Sequence, residues 1–371
     1  MNNYSIVQVN KDNIDIFIHL HLEIRKAESQ WIKPMLQSLQ QNFYRGGYFD
    51  DYGEKCLFLC FHGEIPVGRI AALINHQLLD PEENPIGQLG YFECINDQQA
   101  ANKLLNAGSE WFKSHQVSEV WGPINGASHL EHRFQKNAFD SQPMVQEPRN
   151  PHYYPALFEN AGFNVKHNWY TYEVGSDSAF VKKYSKPVRS SQSNYVIDEP
   201  ELTDPQAMAH RLYRIVNQGW SEHIGFTALS VEEFHSMLVG LYTLMKPGHL
   251  KILQEKTPRG LEDIGYLALI ANYSDAMKAL DGDVSEFGNW QNSAAPDSLL
   301  WYSVTVIPGR TTSSLARILW HSSVKTFNEY GYKKLIWPLA TETLTWHRRH
   351  AKETRHYLLY RITLDALSKL S

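Results

Sequence analysis

The chain predicts an α+β (mixed α/β) fold in two related halves, each a mostly antiparallel twisted sheet flanked by helices. Three observations predict it. First, one layout is written twice: residues 87–121 and 299–337 each read as a strand, a loop, an amphipathic helix and a strand ending in Trp. Second, apolar strands joined by short polar turns precede each copy, the pattern of antiparallel pairing. Third, no G-x-G-x-x-G follows a strand and no Walker loop is present, which excludes a dinucleotide-binding doubly wound sheet.

The elements follow in order. Residues 4–10 alternate as a strand, and Asn13 starts a helix through about residue 28. LFLCFHG and EIPVGRIAALI form a hairpin around Gly63. The strand 87–95 leads to a helix whose Ala101, Leu104, Leu105, Gly108, Trp111 and Phe112 share one face. Residues 126–150, polar and Pro-containing, read as a long surface loop or lid. HYYPALFENAGF is a short helix ended by Gly162, and NVKHNWYTYEV is a strand. The Ser- and Lys-rich stretch 175–195 is the expected linker, dividing the chain into 1–180 and 190–371. The second half restarts with YVID, two helices (DPQAMAHRLYRIVNQGW, VEEFHSMLVGLYTLM) and the strands HLKILQE and IGYLALIAN. A polar insertion at 272–297 precedes the second strand–loop–helix–strand unit. TETLTWHRRHAKE reads as a closing helix and HYLLYRITL as the last strand.

Composition narrows the function. At 371 residues and 43% hydrophobic, the chain has material for two cores. A net charge of −5 without a basic block argues against a nucleic-acid partner. Three cysteines fit a reducing cytoplasm, and Cys56 and Cys60 share a strand face without zinc-site spacing, so they are expected in the core. The N-terminus has no signal pattern, and no stretch approaches the ~20 apolar residues of a membrane span.

The layout resembles the GNAT superfamily of acyl-CoA N-acyltransferases, in the bacterial type with two such domains in one chain. The matching segments in the first half are VGRIAALIN (67–75), GQLGYFECIND (87–97), VWGPIN (120–125) and HYYPALFENAGF (152–163). In the second half they are VNQGWSEHIGFTALSVEEF (216–234), VTVIPGRTTSSLARIL (304–319) and LLYRI (358–362). The resemblance implies a V-shaped opening between two parallel strands that takes the pantetheine arm of acyl-CoA or of an acyl carrier protein. The pyrophosphate would lie on the loop after the first of those strands. In the second half Val306, Ile307, Arg310, Thr311, Thr312, Ser313 and Ser314 occupy that position, with Ser313 and Leu315 where the family has glycine, so that Leu315 would narrow the loop. In the first half the same place holds Asn96-Asp97-Gln98-Gln99, an acidic loop unsuited to phosphate. Donor binding is therefore expected in the second half, with no permanently bound cofactor.

Acyl transfer from a thioester needs a proton acceptor for the ammonium, a donor to the oxyanion and a proton for the thiolate. Glu93 shares a face with Leu89, Tyr91 and Ile95 under strict alternation, and would be a base or a strand carboxylate paired to Arg or Lys. Tyr154, beside Tyr153, would protonate the thiolate or simply pack. His223 would be a base or a satisfied helix-end histidine. Arg310 would contact pyrophosphate or be a surface arginine after Pro-Gly. Asn217, Trp220, Tyr302 and Glu342 are expected along the acceptor side, with Glu342, His347 and His350 on the closing helix. Two histidines three apart in WHRRH lack a third ligand in range, so no metal is expected. The reading is an N-acyltransferase acting on a primary amine of a peptide or small metabolite, with an acyl chain longer than acetyl. A catalytically silent acyl-CoA-binding or scaffold protein is the alternative.

Overall fold

This computed structural model describes residues 4–34, 40, 42–145, 147–186, 194–283 and 295–370. Residues 187–193 of the expected linker and 284–294 of the expected insertion lie outside the described residues. So does the side chain of Ser313.

The first half runs β1 (Tyr4–Gln8), α1 (Ile14–Arg25), β2 (Gly53–His62), β3 (Ile65–Leu79), β4 (Pro85–Cys94), α2 (Gln98–Phe112) and β5 (Glu119–Gly122). It continues with β6 (Phe134–Gln135), α3 (Tyr154–Asn160) and β7 (Asn164–Gly175), and then α4 (Ala179–Tyr184). The second half runs β8 (Tyr195–Asp198), α5 (Pro205–Gly219), α6 (Val231–Tyr242), β9 (Leu250–Thr257), β10 (Gly260–Ala271) and α7 (Ser274–Leu280). It ends with β11 (Ser298–Val306), α8 (Ser313–Glu329), β12 (Lys334–Thr341), β13 (Lys352–Thr363) and α9 (Leu364–Leu367).

All the strands form one sheet in the order β1-β2-β3-β4-β5-β13-β7-β12-β11-β10-β9-β8, with β6 beside β13. The two halves exchange their last strands. β13 pairs antiparallel with β5 of the first half, and β7 pairs antiparallel with β12 of the second. β7 and β13 also pair with each other at the centre, from Lys352↔Glu173 to Arg361↔Asn164. The backbone hydrogen bonds that close each half are thus supplied by the other.

The sheet is covered on both faces. In the first half α2 and α3 pack on one face, burying Leu104, Phe112, Phe158 and Tyr360 among others, while α1 covers the other with Phe17 and Leu20. The largest core lies over the second half, drawn from α4, α5, α6, α8 and five strands, β7 and β9 to β12. Cys56, Cys60 and Cys94 are buried and free.

Four expectations change. Residues 126–150 are not a surface loop: Ala127, His132, Phe134, Gln135, Val145, Glu147 and Asn150 are buried. Their polar groups are matched inside, as where the Arg355 guanidinium meets Glu147 at 3.2 Å and Asn150 Oδ1 accepts from the Gln135 N–H at 2.6 Å. The linker stretch contains α4, capped by Ser178 and anchored by buried Phe180, Val181 and Tyr184. TETLTWHRRHAKE is not a helix. β12 runs to Thr341 and only His347–Arg349 make a 3-10 turn, because the β-branched Thr341, Thr343 and Thr345 favour extended backbone. Strict alternation fails in β4: Arg69 faces Glu93 and Ala71 faces Gly90, so Tyr91 and Phe92 together oppose one residue of β3. This bulge, with Tyr91 at φ 51°, turns Leu89 and Glu93 to opposite faces.

Candidate active-site clefts

The bulge recurs where the layout repeats. In β11 Ser303 faces Ala268 and Trp301 faces Leu269, leaving Tyr302 as the extra residue. Each bulged strand also parts from its parallel neighbour. β4 pairs with β5 only at Gly87↔Val120 and Gln88↔Trp121; β11 pairs with β12 only from Ser298↔Lys334 to Leu300↔Ile336. Beyond those pairs each strand parts from its parallel neighbour, so its backbone groups on that edge no longer pair across the opening.

The two clefts are finished differently. In the first half, side chains take the β4 edge. Asn125 Oδ1 accepts from the Tyr91 N–H at 2.7 Å, Tyr154 Oη accepts from the Cys94 N–H at 2.9 Å, and Tyr153 Oη donates to the Cys94 carbonyl at 2.8 Å. Phe92, Phe134, Tyr154 and Phe158 stack edge to face beside it. The helix that follows is closed by its own residue: Asp97 accepts from the N–H groups of Gln99 and Ala100. In the second half, among the described residues, no side chain hydrogen-bonds to the backbone of Tyr302–Val306. α8 begins with Thr312, which accepts from the Leu315 N–H at 3.2 Å, and Thr311 and Ser314 are exposed beside it. Leu315 does not narrow this loop; it is 1% exposed and packs beneath it with Leu253 and Ile264. Arg310 pairs with Glu255 and, at 3.9 Å, with Glu262.

Glu93 and Tyr154 form a buried pair. Tyr154 Oη donates to Glu93 at 2.6 Å and Arg25 lies 3.9 Å from its other oxygen. Burial, then the carboxylate, push the Tyr154 pKa far up. His223 belongs to the loop after α5. It stacks on Trp220 with centroids 6.4 Å apart, and burial together with Arg133 lowers its pKa. Gly219 at the end of α5 sits against Thr305 so closely that an added Cβ would fall 2.1 Å from Oγ1. That contact sets Trp220 and His223 beside the splayed part of β11. Trp220, Tyr302, Val306 and Ile307 pack on one core, and burial raises the Tyr302 phenol to about 12.

Other expected site residues are committed elsewhere. The Asn217 amide bonds both the carbonyl and the N–H of Leu229, at 3.1 and 2.8 Å, and so closes its own loop. Glu342 accepts from the Asn168 side chain at 2.9 Å and meets His167 at 3.1 Å, where β12 joins β7. His347 is buried and His350 exposed. Among the described residues no three His, Cys, Asp or Glu gather as a metal site.

Two polar residues were missed from the sequence. Glu131 is exposed, yet its surroundings are desolvating enough to raise its pKa, with Arg25, Glu93 and Arg69 the next influences. Arg133 is drawn down to about 9 by burial and lies over the Trp169 ring at 4.2 Å. Both sit in the stretch read as a surface loop; the one local hint was a run of charged and imidazole groups, HLEHR, three residues after VWGPIN.

No protein-family model matches the chain. A bacterial ceramide synthase of Caulobacter vibrioides (strain NA1000 / CB15N) is 24% identical over 277 residues, 73% of this chain and 71% of that protein. A tandem GNAT protein from the clavulanic acid biosynthesis pathway matches 98% of this chain and 99% of its own, with a TM-score of 0.53 and 9% identity. The GCN5-related glucosamine N-acetyltransferase region of a fungal multi-domain GH3 β-N-acetylglucosaminidase matches 98% of this chain with a TM-score of 0.55 and 12% identity; this chain spans 38% of that protein. Over its whole length the chain therefore has the fold of the GCN5-related N-acetyltransferases, in tandem form.

Proposed function

We propose that this protein is an N-acyltransferase whose acyl donor lies in the β11/β12 cleft of the second half. The observation that carries the reading is the asymmetry of the two clefts. Asn125, Tyr153 and Tyr154 already satisfy the β4 edge, and Asp97 caps its helix, whereas the β11 edge meets no such side chain among the described residues. A pantetheine arm carries two amides that pair with such an edge. Its phosphates would lie at the start of α8, where N–H groups and the hydroxyls of Thr311, Thr312 and Ser314 gather and Arg310 can turn from Glu255.

In the reaction the ammonium first gives up one proton to solvent, the neutral amine nitrogen bonds to the thioester carbonyl carbon, the carbon–sulfur bond breaks, and a base passes the nitrogen's second proton to the departing thiolate. In this reading His223 is that base. Burial and Arg133 hold its pKa down, so its neutral form is present at pH 7. Glu93 and Tyr154 satisfy each other and hold the first cleft shut. A ceramide is a fatty amide, so the likeness to a ceramide synthase supports a fatty acyl group and a primary amine acceptor. Acyl-CoA and an acyl carrier protein offer the same pantetheine thioester. Three free buried cysteines suit a reducing compartment such as the cytoplasm.

The test is thermal stabilisation by dodecanoyl-CoA in the wild type and in Arg310→Ala. The variant is expected to bind about 10-fold more weakly, through loss of one charge-assisted phosphate contact. Equal binding by both would remove the donor from this loop. The pairing of Arg310 with Glu255 and Glu262 favours a second reading, a fold that no longer takes a donor, and no stabilisation by any acyl thioester would support it.

A further inference from the structure

Glu233 is 5% exposed, and among the described residues no lysine or arginine pairs with it. It stands three residues after Ser230, the cap of α6, where a glutamate commonly turns back to the N–H of the cap. Here the side chain reaches across to the first half instead. Its Oε1 accepts from the Tyr52 hydroxyl at 3.1 Å and from His129 Nε2 at 3.0 Å. A carboxylate offers no hydrogen, so Tyr52 and His129 are the donors. Both bonds fall on one oxygen. Among the described residues Oε2 has no hydrogen bond, and it is not sealed within the protein. A carboxylate this deep is costly to bury with one oxygen idle, and a bound donor would offset that cost.

Glu233 lines a cavity of about 60 Å³ whose other walls, Phe43, Phe49, Leu73, Tyr91 and Leu130, belong to the first half. That is room for about five water molecules, or for a short alkyl chain. The rings hold one another in place: Phe43 meets Tyr91 edge to face with centroids 5.0 Å apart, and Phe49 meets Tyr52 at 5.5 Å. The other charged group on the wall, Lys55, is neutralised by Asp50. The charge left for a ligand is therefore negative, inside an apolar lining.

The cavity shares a wall with the loop that carries His223. His129, which donates to Glu233, lies edge-on to Phe226 with centroids 6.4 Å apart, and Phe226 lies edge-on to Trp220 at 5.7 Å. Two hydrogen bonds tie this loop to the first half. The Ser128 N–H donates to the Gly225 carbonyl at 2.9 Å, and the Asn75 amide donates to Thr227 Oγ1 at 3.1 Å.

We infer that this cavity takes the acceptor: a primary ammonium on Glu233 Oε2, with the first carbons of its apolar chain among Phe43, Phe49 and Tyr91. The inference rests on the second half holding the donor. It gives the closed first half a task, since a half that cannot take the thioester can still hold the amine beside the loop of the half that does. The expected substrate class is a primary amine on an unbranched apolar chain, because the cavity is small and lined by rings and leucines.

The experiment is calorimetric titration of the full chain with hexylammonium chloride and, separately, with 1-hexanol and sodium hexanoate. The wild type is expected to bind the amine more tightly than the alcohol, and the alcohol more tightly than the carboxylate. Glu233→Gln keeps an oxygen that can accept from Tyr52 and His129 but removes the charge. It is expected to weaken the amine at least about 10-fold and leave the alcohol unchanged. Leu130→Ala is expected to weaken both. The wild-type ranking is read without any variant, so a Glu233→Gln chain that fails to fold does not protect the assignment. Alcohol bound as tightly as amine, or no amine binding, would overturn it. So would equal amine binding by Glu233→Gln and wild type, or hexanoate bound most tightly, which would give the cavity to Lys55. Dodecanoyl-CoA stabilisation is measured on the same samples. Its absence beside Glu233-dependent amine binding would defeat the donor reading and leave the amine site standing; its presence with Glu233-independent binding would do the reverse.

Discussion

Tyr154 shows how one hydroxyl can close a cleft. It donates to Glu93 and accepts from the Cys94 N–H, so Tyr154→Phe removes two buried hydrogen bonds and leaves a carboxylate and an amide short of a partner. The expected cost is about 2 kcal/mol, read as a shift in urea midpoint. Because the phenol belongs to the first cleft, donor stabilisation per unit of bound acyl-CoA is expected to stay at the wild-type level. Glu93 itself was legible as a carboxylate in a strand, and its pairing with an arginine was one of the two readings open to it. The partner, Arg25, lies 68 residues earlier on α1, and no local pattern names it. Arg133 was not legible at all, because what distinguishes it is its burial over the Trp169 ring.

Elements decide the second cleft. α5 reaches the splayed part of β11 because Gly219 has no side chain where Thr305 passes. Gly219→Ala is expected to push the helix end away and cost about 1–3 kcal/mol. Adding Thr305→Ala should recover most of that loss, a coupling that a double-mutant cycle measures. If the loop bearing Trp220 and His223 borders the donor, the single variant will also lose donor stabilisation and the double variant will regain it. The amphipathic periods of α2, α5 and α6 announced these helices. Their caps Asp97, Asp204 and Ser230 stand in place, each accepting from a first-turn N–H. The expected closing helix failed because a Thr-rich stretch carried the backbone onward in β12, where it pairs with β7.

At the scale of the molecule, exchange of β7 and β13 makes the halves interdependent. The proposed division at 180–190 is a boundary along the sequence, but each side lacks one strand of its sheet. Residues 1–186 expressed alone are expected to show no cooperative melt, since β5 would have an open edge where β13 belongs. Adding 352–371 as a peptide should restore part of it. A sharp autonomous melt of 1–186 would refute the interdependence. Acid stability is also a property of the whole. Burial lowers His21 and His249 to about 3 and His347 to about 4. Their folded pKa values lie below the unfolded value of about 6.5, so the unfolded chain binds more protons. Stability from these groups is full above pH 6.5 and falls as pH drops toward 4, by about 1.4 kcal/mol per pH unit for each histidine. Urea titrations from pH 7 to 4 should show that slope, and replacing His21 with Asn should flatten it.

The sequence by itself determined most of the element order and the repeat, because hydrophobic period and turn chemistry act within a dozen residues. It also placed an acidic residue, Asp97, in one of the two loops and a run of hydroxyl residues in the other. Only the tertiary structure decided that the final strands cross between halves and that three side chains fill the first cleft. Each of these joins residues far apart in sequence, such as Asn125 to Tyr91 and β13 to β5. Their energies depend on burial and on which backbone groups are left unpaired, quantities that exist only once the chain has closed on itself.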